Sequence, residues 1–244
     1  MAKNTNPQET QAGLTKKVTS PIQRRSFLKY AGVGAALSTL FIMGCDNDDD
    51  MNNMPGDGVN LGSGDVGILN YAYALEQLEA AFYTQVVAAT AFNTTFSNAM
   101  ERMILTDIRD HEVAHREFFK AAITSAAPND IIPGLTPDFS AVNFNDRNAV
   151  LATAKTFEDL GVAAYNGAGK LLTSATFLTL AGKIVSVEAR HAAEIRDIIS
   201  NGTFASGPEI NNMGMDRALM PRDVLAAAQP FIKEKINFSN LPTT

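Results

Sequence analysis

Glu112-Val113-Ala114-His115 and Glu188-Ala189-Arg190-His191 place a carboxylate and an imidazole three residues apart in two separate parts of a 244-residue chain. Residues three apart on an α-helix share a face, so each run presents both groups in one direction. Both runs interrupt stripes that are otherwise apolar at three- and four-residue spacing. One stripe reads Ile104, Ile108, Glu112, His115, Phe119, Ala122, and the other Leu180, Ile184, Glu188, His191, Ile195, Ile198. Two further stripes carry the same interruption: Leu69, Ala72, Glu76, Glu79, Tyr83, Val86, and Leu151, Ala154, Glu158, Gly161, Tyr165. The spacing predicts four long helices, at about 66–91, 96–126, 147–173 and 175–200. Each has a carboxylate in the middle of the face that should enter the core.

The connections set the topology. Asp146 can cap the third helix and Gly202 can stop the fourth. Pro128, Pro133, Gly134 and Pro137 make the link between the second and third helices a long crossover. The link near Thr173 and Ser174 is short, so the third and fourth helices run antiparallel as neighbours. Pro221 opens a short further helix over 222–228 in a tail expected to pack on the bundle. The expected fold is all-α: a four-helix bundle with a long crossover and a short C-terminal helix.

Four or five carboxylates in one cross-section of a core repel one another and are expensive to bury. Something positive must sit among them, and the central turns of these stripes contain no arginine or lysine. Two divalent transition-metal ions solve the problem when one glutamate comes from each of two helices and a Glu-x-x-His pair from each of the others. Glu76 and Glu158 supply the first part, and Glu112, His115, Glu188 and His191 the second. Two of three histidines following a glutamate at this spacing is by chance about a one-in-a-hundred event. Oxygen-rich sites with two imidazoles suit iron and manganese alike.

The chain also repeats internally. At one constant offset Leu69, Ala72, Glu76, Leu78, Ala81 and Tyr83 match Leu151, Ala154, Glu158, Leu160, Ala163 and Tyr165. At another, Ile108, Glu112 and His115 match Ile184, Glu188 and His191. Two helical hairpins related by a pseudo-twofold would place the ions near its axis. Glu79 breaks the symmetry, because Gly161 stands at the matching position. It is a candidate extra ligand, a neighbouring base or a structural partner. Tyr83 and Tyr165 are either core residues with a satisfied hydroxyl or partners of a ligand with a redox role. Ile108, not a glutamate, precedes His111 by three, which points to a role beside the ligands or on the surface. Met100 and Met103 are expected to pack in the bundle.

The segments Leu75-Glu76-Gln77-Leu78-Glu79-Ala80-Ala81-Phe82-Tyr83 and Phe157-Glu158-Asp159-Leu160-Gly161-Val162-Ala163-Ala164-Tyr165 resemble the ferritin-like family often called desiccation-related proteins. The resemblance covers about 66–232. It implies a ferritin-like bundle with a di-iron, di-manganese or mixed site on Glu76, Glu158, Glu112, His115, Glu188 and His191, with tyrosines nearby. Redox chemistry on a small oxidant such as peroxide or dioxygen would then involve Glu79, Tyr83 and Tyr165 as catalytic candidates. A protective or structural role at the cell envelope is the second reading, and iron storage in a cage a weaker third. With one cysteine in the chain there is no multi-cysteine metal site, so peroxide reduction would need an outside electron donor.

Charge divides the chain. Residues 1–44 hold six basic side chains and one acidic, which leaves 14 basic and 25 acidic in the remainder. So acidic a body is a poor partner for nucleic acid. Gln23-Arg24-Arg25-Ser26-Phe27-Leu28-Lys29 resembles the twin-arginine export motif, and an apolar run too short to span a bilayer follows it. Phe41-Ile42-Met43-Gly44-Cys45 resembles a lipoprotein box, which implies lipid on Cys45 and a membrane partner. The domain expectation is therefore a signal segment over 1–44, an acidic tether over 45–65 that starts Cys45-Asp46-Asn47-Asp48-Asp49-Asp50, the bundle over 66–202 and the tail over 203–244. The protein is expected at the periplasmic or outer cell surface, and a homo-oligomer is compatible with the sequence. Replacing Arg24 and Arg25 by lysine should block export, and Cys45→Ala should release the protein from the membrane fraction. Unchanged membrane association in both variants would remove this address.

Overall fold

Three of the four long helices begin where a short polar side chain can satisfy a free backbone N–H. In the computed structural model, which describes residues 58–243, Asn98 accepts from the Met100 N–H at 2.9 Å and Asp146 from the Asn148 N–H at 2.8 Å. Ser174 accepts more weakly from Phe177, at 3.4 Å. The elements run β1 (Val59–Asn60), α1 (Gly64–Ala88), α2 (Phe92–Thr95), α3 (Ala99–Ala126), α4 (Arg147–Ala168), α5 (Ala175–Ile199), α6 (Pro221–Ala228) and β2 (Ile236–Asn237). The expected all-α bundle is present, with α1 packed chiefly on α3 and α4 on α5. Among the described residues no helix is long and apolar enough to cross a membrane.

Boundaries shift for local reasons. The second long helix starts at Ala99 rather than 96, because Asn98 caps it and the separate turn α2 precedes it. The third ends at Ala168 instead of 173 and tightens into a 3-10 turn, Gly169–Leu171. Met100 and Met103 do not pack in the core: they are exposed on the first turns of α3.

The signal segment over 1–44, with Arg24 and Arg25, lies outside the described residues, as do Cys45 and the acidic run after it. The tether expected to reach 65 is built into the fold over its last residues. Val59 donates to Lys235 O at 2.7 Å and Leu61 to Asn237 O at 3.0 Å, which forms the parallel pair β1–β2. Leu61 is fully buried. Asp65 accepts from the N–H groups of Thr173 and Ser174, both at 2.8 Å, and so ties the start of α1 to the start of α5.

Helix α1 is buried on nearly every side because the crossover and the tail cover what the other helices leave open. Two polar residues on it clip the crossover down. Asn70, with no exposed surface, donates to Leu61 O at 3.1 Å and Asp130 O at 2.7 Å and accepts from Ile132. Gln77 accepts from Leu135 N at 2.8 Å. The tail grips the crossover in turn, with Asp138 N bonded to Phe231 O and Lys233 N to Thr136 O. Phe82, Phe139, Phe157 and Phe231 meet edge-on or tilted between them, with Phe157 and Phe231 centroids 4.8 Å apart.

The tail also lies directly on α4. Leu219 N donates to Ala163 O, and a Cβ at Gly167 would fall inside the Leu219 carbonyl group. Only glycine permits that approach. Gly167→Ala should therefore lift the 217–219 segment and destabilise the fold by about 1–3 kcal/mol. The expected readout is a lower melting temperature with faster proteolysis of the tail, and an unchanged melting curve would show the contact to be dispensable.

Candidate metal centre

Midway along the bundle the four interrupted stripes face one another. Glu76 on α1, Glu112 on α3, Glu158 on α4 and Glu188 on α5 have no exposed surface, and His191 retains 4%. His115 is the more open imidazole, its side chain 12% exposed. The donor atoms fall into two overlapping groups, each within 4.8 Å: Glu76, Glu112, His115 and Glu188 in one, Glu112, Glu158, Glu188 and His191 in the other. Glu112 and Glu188 belong to both, whereas Glu76 and Glu158 belong to one each. All six residues singled out by spacing are thus brought together.

The contacts cross between hairpins. His115 Nδ1 lies 2.8 Å from Glu188 Oε1, and His191 Nδ1 lies 2.8 Å from Glu112 Oε1. The tyrosines cross in the same way, Tyr83 donating to Glu158 at 2.6 Å and Tyr165 donating to Glu76 in a short bond. Each terminal carboxylate is therefore held by the tyrosine of the opposite hairpin. Both tyrosines resist ionisation, through burial first and then the carboxylates around them.

Despite these approaches, Glu76 Oε2, both oxygens of Glu112 and Glu188, Glu158 Oε2 and both Nδ1 atoms lack an aligned hydrogen bond. Among the described residues the one other buried side-chain N or O atom in that condition is the Tyr71 hydroxyl. Groups this buried are almost always satisfied, so a concentration of unpartnered donor atoms forms a place able to hold a cation. Arg196, the buried guanidinium among the described residues, does not serve: Asp159 holds it at 2.8 Å and 2.7 Å, and it also donates to Ser206 O. The donor set fits hard or borderline divalent ions.

The electrostatics follow from burial opposed by imidazoles. Burial would raise Glu112, but His115 and His191 hold it at about 2. Burial dominates at Glu76, pushed up to about 7, and it also raises Glu158 and Glu188. For His191 burial works downward, yet Glu112 and Glu158 push it up to about 11. His115 is raised in the same way by Glu112, Glu188 and Glu76.

Glu79 stands apart. It is 4% exposed, belongs to neither donor group, and is raised well above the usual carboxylate range by burial and then by Glu188, Glu112, Glu158 and Glu76. The gap in the repeat makes room for it: a Cβ at Gly161 would lie 3.1 Å from Glu79 Oε1 and 3.5 Å from Glu188 Oε2. His111 also has a place that spacing did not reveal. Its Nδ1 lies 2.9 Å from His191 Nε2, on the side away from the carboxylates.

A model of the ferritin-like domain matches residues 64–201, more than half of the chain and all four long helices. The chain belongs to the ferritin-like domain family. A comparison with curated proteins returned no match. The match ends within two residues of α5, so α6, β2 and the rest of the tail lie outside it.

In the cation-free state His191, with its value at about 11, is protonated at neutral pH, as is His115. A cation at either Nδ1 must displace that proton, so affinity should fall as pH is lowered and uptake should release at least two protons per chain, the imidazole pair together with those that burial keeps on the glutamates. Calorimetry of manganese(II) binding in buffers of different ionisation enthalpy measures this directly. Binding with no proton release would show the imidazoles are not displaced.

Proposed function

We propose that this is an exported, lipid-anchored ferritin-like protein with a carboxylate-bridged pair of iron or manganese ions that acts on peroxide or dioxygen. The observation that carries the reading is the pair of donor groups sharing Glu112 and Glu188. Two groups with common carboxylates suit two ions rather than one. Charge agrees: four ionised glutamates balance two divalent ions when both imidazoles are neutral. On this reading Glu76, Glu112, His115 and Glu188 would hold one ion and Glu112, Glu158, Glu188 and His191 the other. Such a pair supplies two redox equivalents at one place, which suits two-electron chemistry on an O–O bond.

The chain's own residues would manage protons and position. With four glutamates balanced by the ions, a fifth negative charge in the same core is unfavourable, so Glu79 is held protonated and can donate. Reduction of hydrogen peroxide to two water molecules takes up two electrons and two protons. The electrons would come from an external donor, and Glu79 is placed to relay the protons. Tyr83 and Tyr165 would fix Glu158 and Glu76, so that these carboxylates keep their orientation. The sequence resemblances to the desiccation-related family, the twin-arginine motif and the lipoprotein box support an envelope setting and a protective role against oxidants.

A second reading has its own observation. His115–Glu188 and His191–Glu112, each at 2.8 Å, can pair as ions without metal, which would make the cluster a staple of the fold. One set of measurements separates the two. Natively exported protein should contain close to two transition-metal ions per chain, and Glu112→Ala or His191→Ala should lose at least one. Glu79→Gln should keep the fold and most metal while slowing peroxide or dioxygen consumption by about 10²-fold or more. A metal-free wild type that resists reloading, or a Glu79→Gln variant that changes only the melting temperature, would favour the staple.

A further inference from the structure

The centre is reciprocal in its ligands but not in what stands behind them. His191 presents Nδ1 to Glu112 Oε1 at 2.8 Å and to Glu158 Oε2 at 3.5 Å. Its other nitrogen, Nε2, meets His111 Nδ1 at 2.9 Å, and the two rings lie nearly parallel, 9° apart with centroids separated by 5.2 Å. Among the described residues His115 has no such support. Its close approaches to Glu76, Glu112 and Glu188 are all made through Nδ1. The residue that the repeat sets opposite His111 is Val187, whose side chain can neither donate nor accept.

The direction of the His111–His191 bond follows from chemistry. With a cation, Nδ1 must be bare, and the remaining proton of a neutral imidazole then sits on Nε2. Nε2–H is then the donor and His111 Nδ1 the acceptor. A ring held by such a bond keeps its orientation, and its ligating nitrogen becomes more basic.

We propose that His111 is a positioning residue that fixes His191 for cation binding and makes the two halves of the centre unequal, the His191 half binding its ion more tightly than the His115 half. The inference rests on the reading of the cluster as a metal centre and extends it to an order of loading. The first ion enters the group of Glu112, Glu158, Glu188 and His191. The second enters beside His115, where the imidazole is unsupported and partly open to solvent, and this is the exchangeable position.

His111 is itself exposed, so substitutions there leave the core intact. Three proteins decide the matter: wild type, His111→Leu, which removes the acceptor, and His111→Asn, whose amide oxygen can replace Nδ1. Cobalt(II) titrations followed by visible absorption and calorimetry should resolve a tight and a weaker step in the wild type. His111→Leu should weaken the tight step by about 10–100-fold and leave the weaker one in place. His111→Asn should restore most of the loss. Equal affinities in wild type and His111→Leu, or equal losses in both variants, would overturn the proposal. Histidine nitrogen shifts measured by NMR on the wild type loaded with diamagnetic zinc(II) give a separate reading. They should show His191 Nε2 protonated and His111 Nδ1 bare, and the reverse assignment would also overturn it. If the wild type takes up no cobalt at all, the metal reading of the cluster fails and the proposal with it, whereas uptake with equal affinities overturns the proposal alone.

Discussion

The described fold is arranged around four glutamates with no exposed surface. A bundle core of leucine, isoleucine and alanine would be stable without them, and each ionised carboxylate taken out of water is unfavourable by several kcal/mol unless matched. The match within the chain is incomplete: two imidazoles face four carboxylates, and Glu79 adds a fifth. Apart from the Tyr71 hydroxyl, the buried side-chain atoms without aligned partners among the described residues are therefore gathered at one level of the bundle, with apolar side chains packed around them.

Holding such a cluster requires walls that cannot relax outward, and the fold supplies them from unexpected places. The crossover and the tail, which a minimal bundle would not need, enclose α1 through Asn70, Gln77 and the β1–β2 pair. Arg147 adds a strap at one end: it binds Glu101 through two nitrogens, at 3.0 Å and 2.8 Å, and donates to the carbonyl of Ile198 at 3.1 Å. The starts of α3 and α4 and the end of α5 are thereby joined on one guanidinium. Two-point pairing of this kind is geometrically restrictive, which suits a clamp better than a single ammonium would.

The four helices and the six clustered residues were legible in the sequence because both depend on period alone. A carboxylate at a core position of a 3.6-residue repeat is visible without coordinates, and so was the mismatch of Glu79 with Gly161. What was not legible is three-dimensional crossing. No spacing reveals that Tyr83 reaches Glu158 and Tyr165 reaches Glu76, since each pair joins different hairpins. His111 carried no motif of its own and acquires a partner only through the packing of α3 near α5. Residues 58–65 read as a polar, glycine-rich tether because two residues of strand leave almost no pattern, yet Leu61 is as buried as any core side chain. Asn70 and Gln77 carry no signal in the spacing; their role appears only once the crossover lies over them.

The facing of Glu79 by Gly161 has a consequence for what kind of molecule can own such a site. Two identical hairpins that came together as separate chains would carry the same residue at both related positions. They could set glutamate against glutamate, with doubled repulsion, or glycine against glycine, with an empty notch. Neither arrangement gives one acid and the hollow that receives it. Covalent joining of the two hairpins lifts that restriction, because each half can then change without its counterpart changing too. A lone acid beside a reciprocal set of donors, and a histidine opposite a valine, are departures open to a fused pair and closed to a symmetric one.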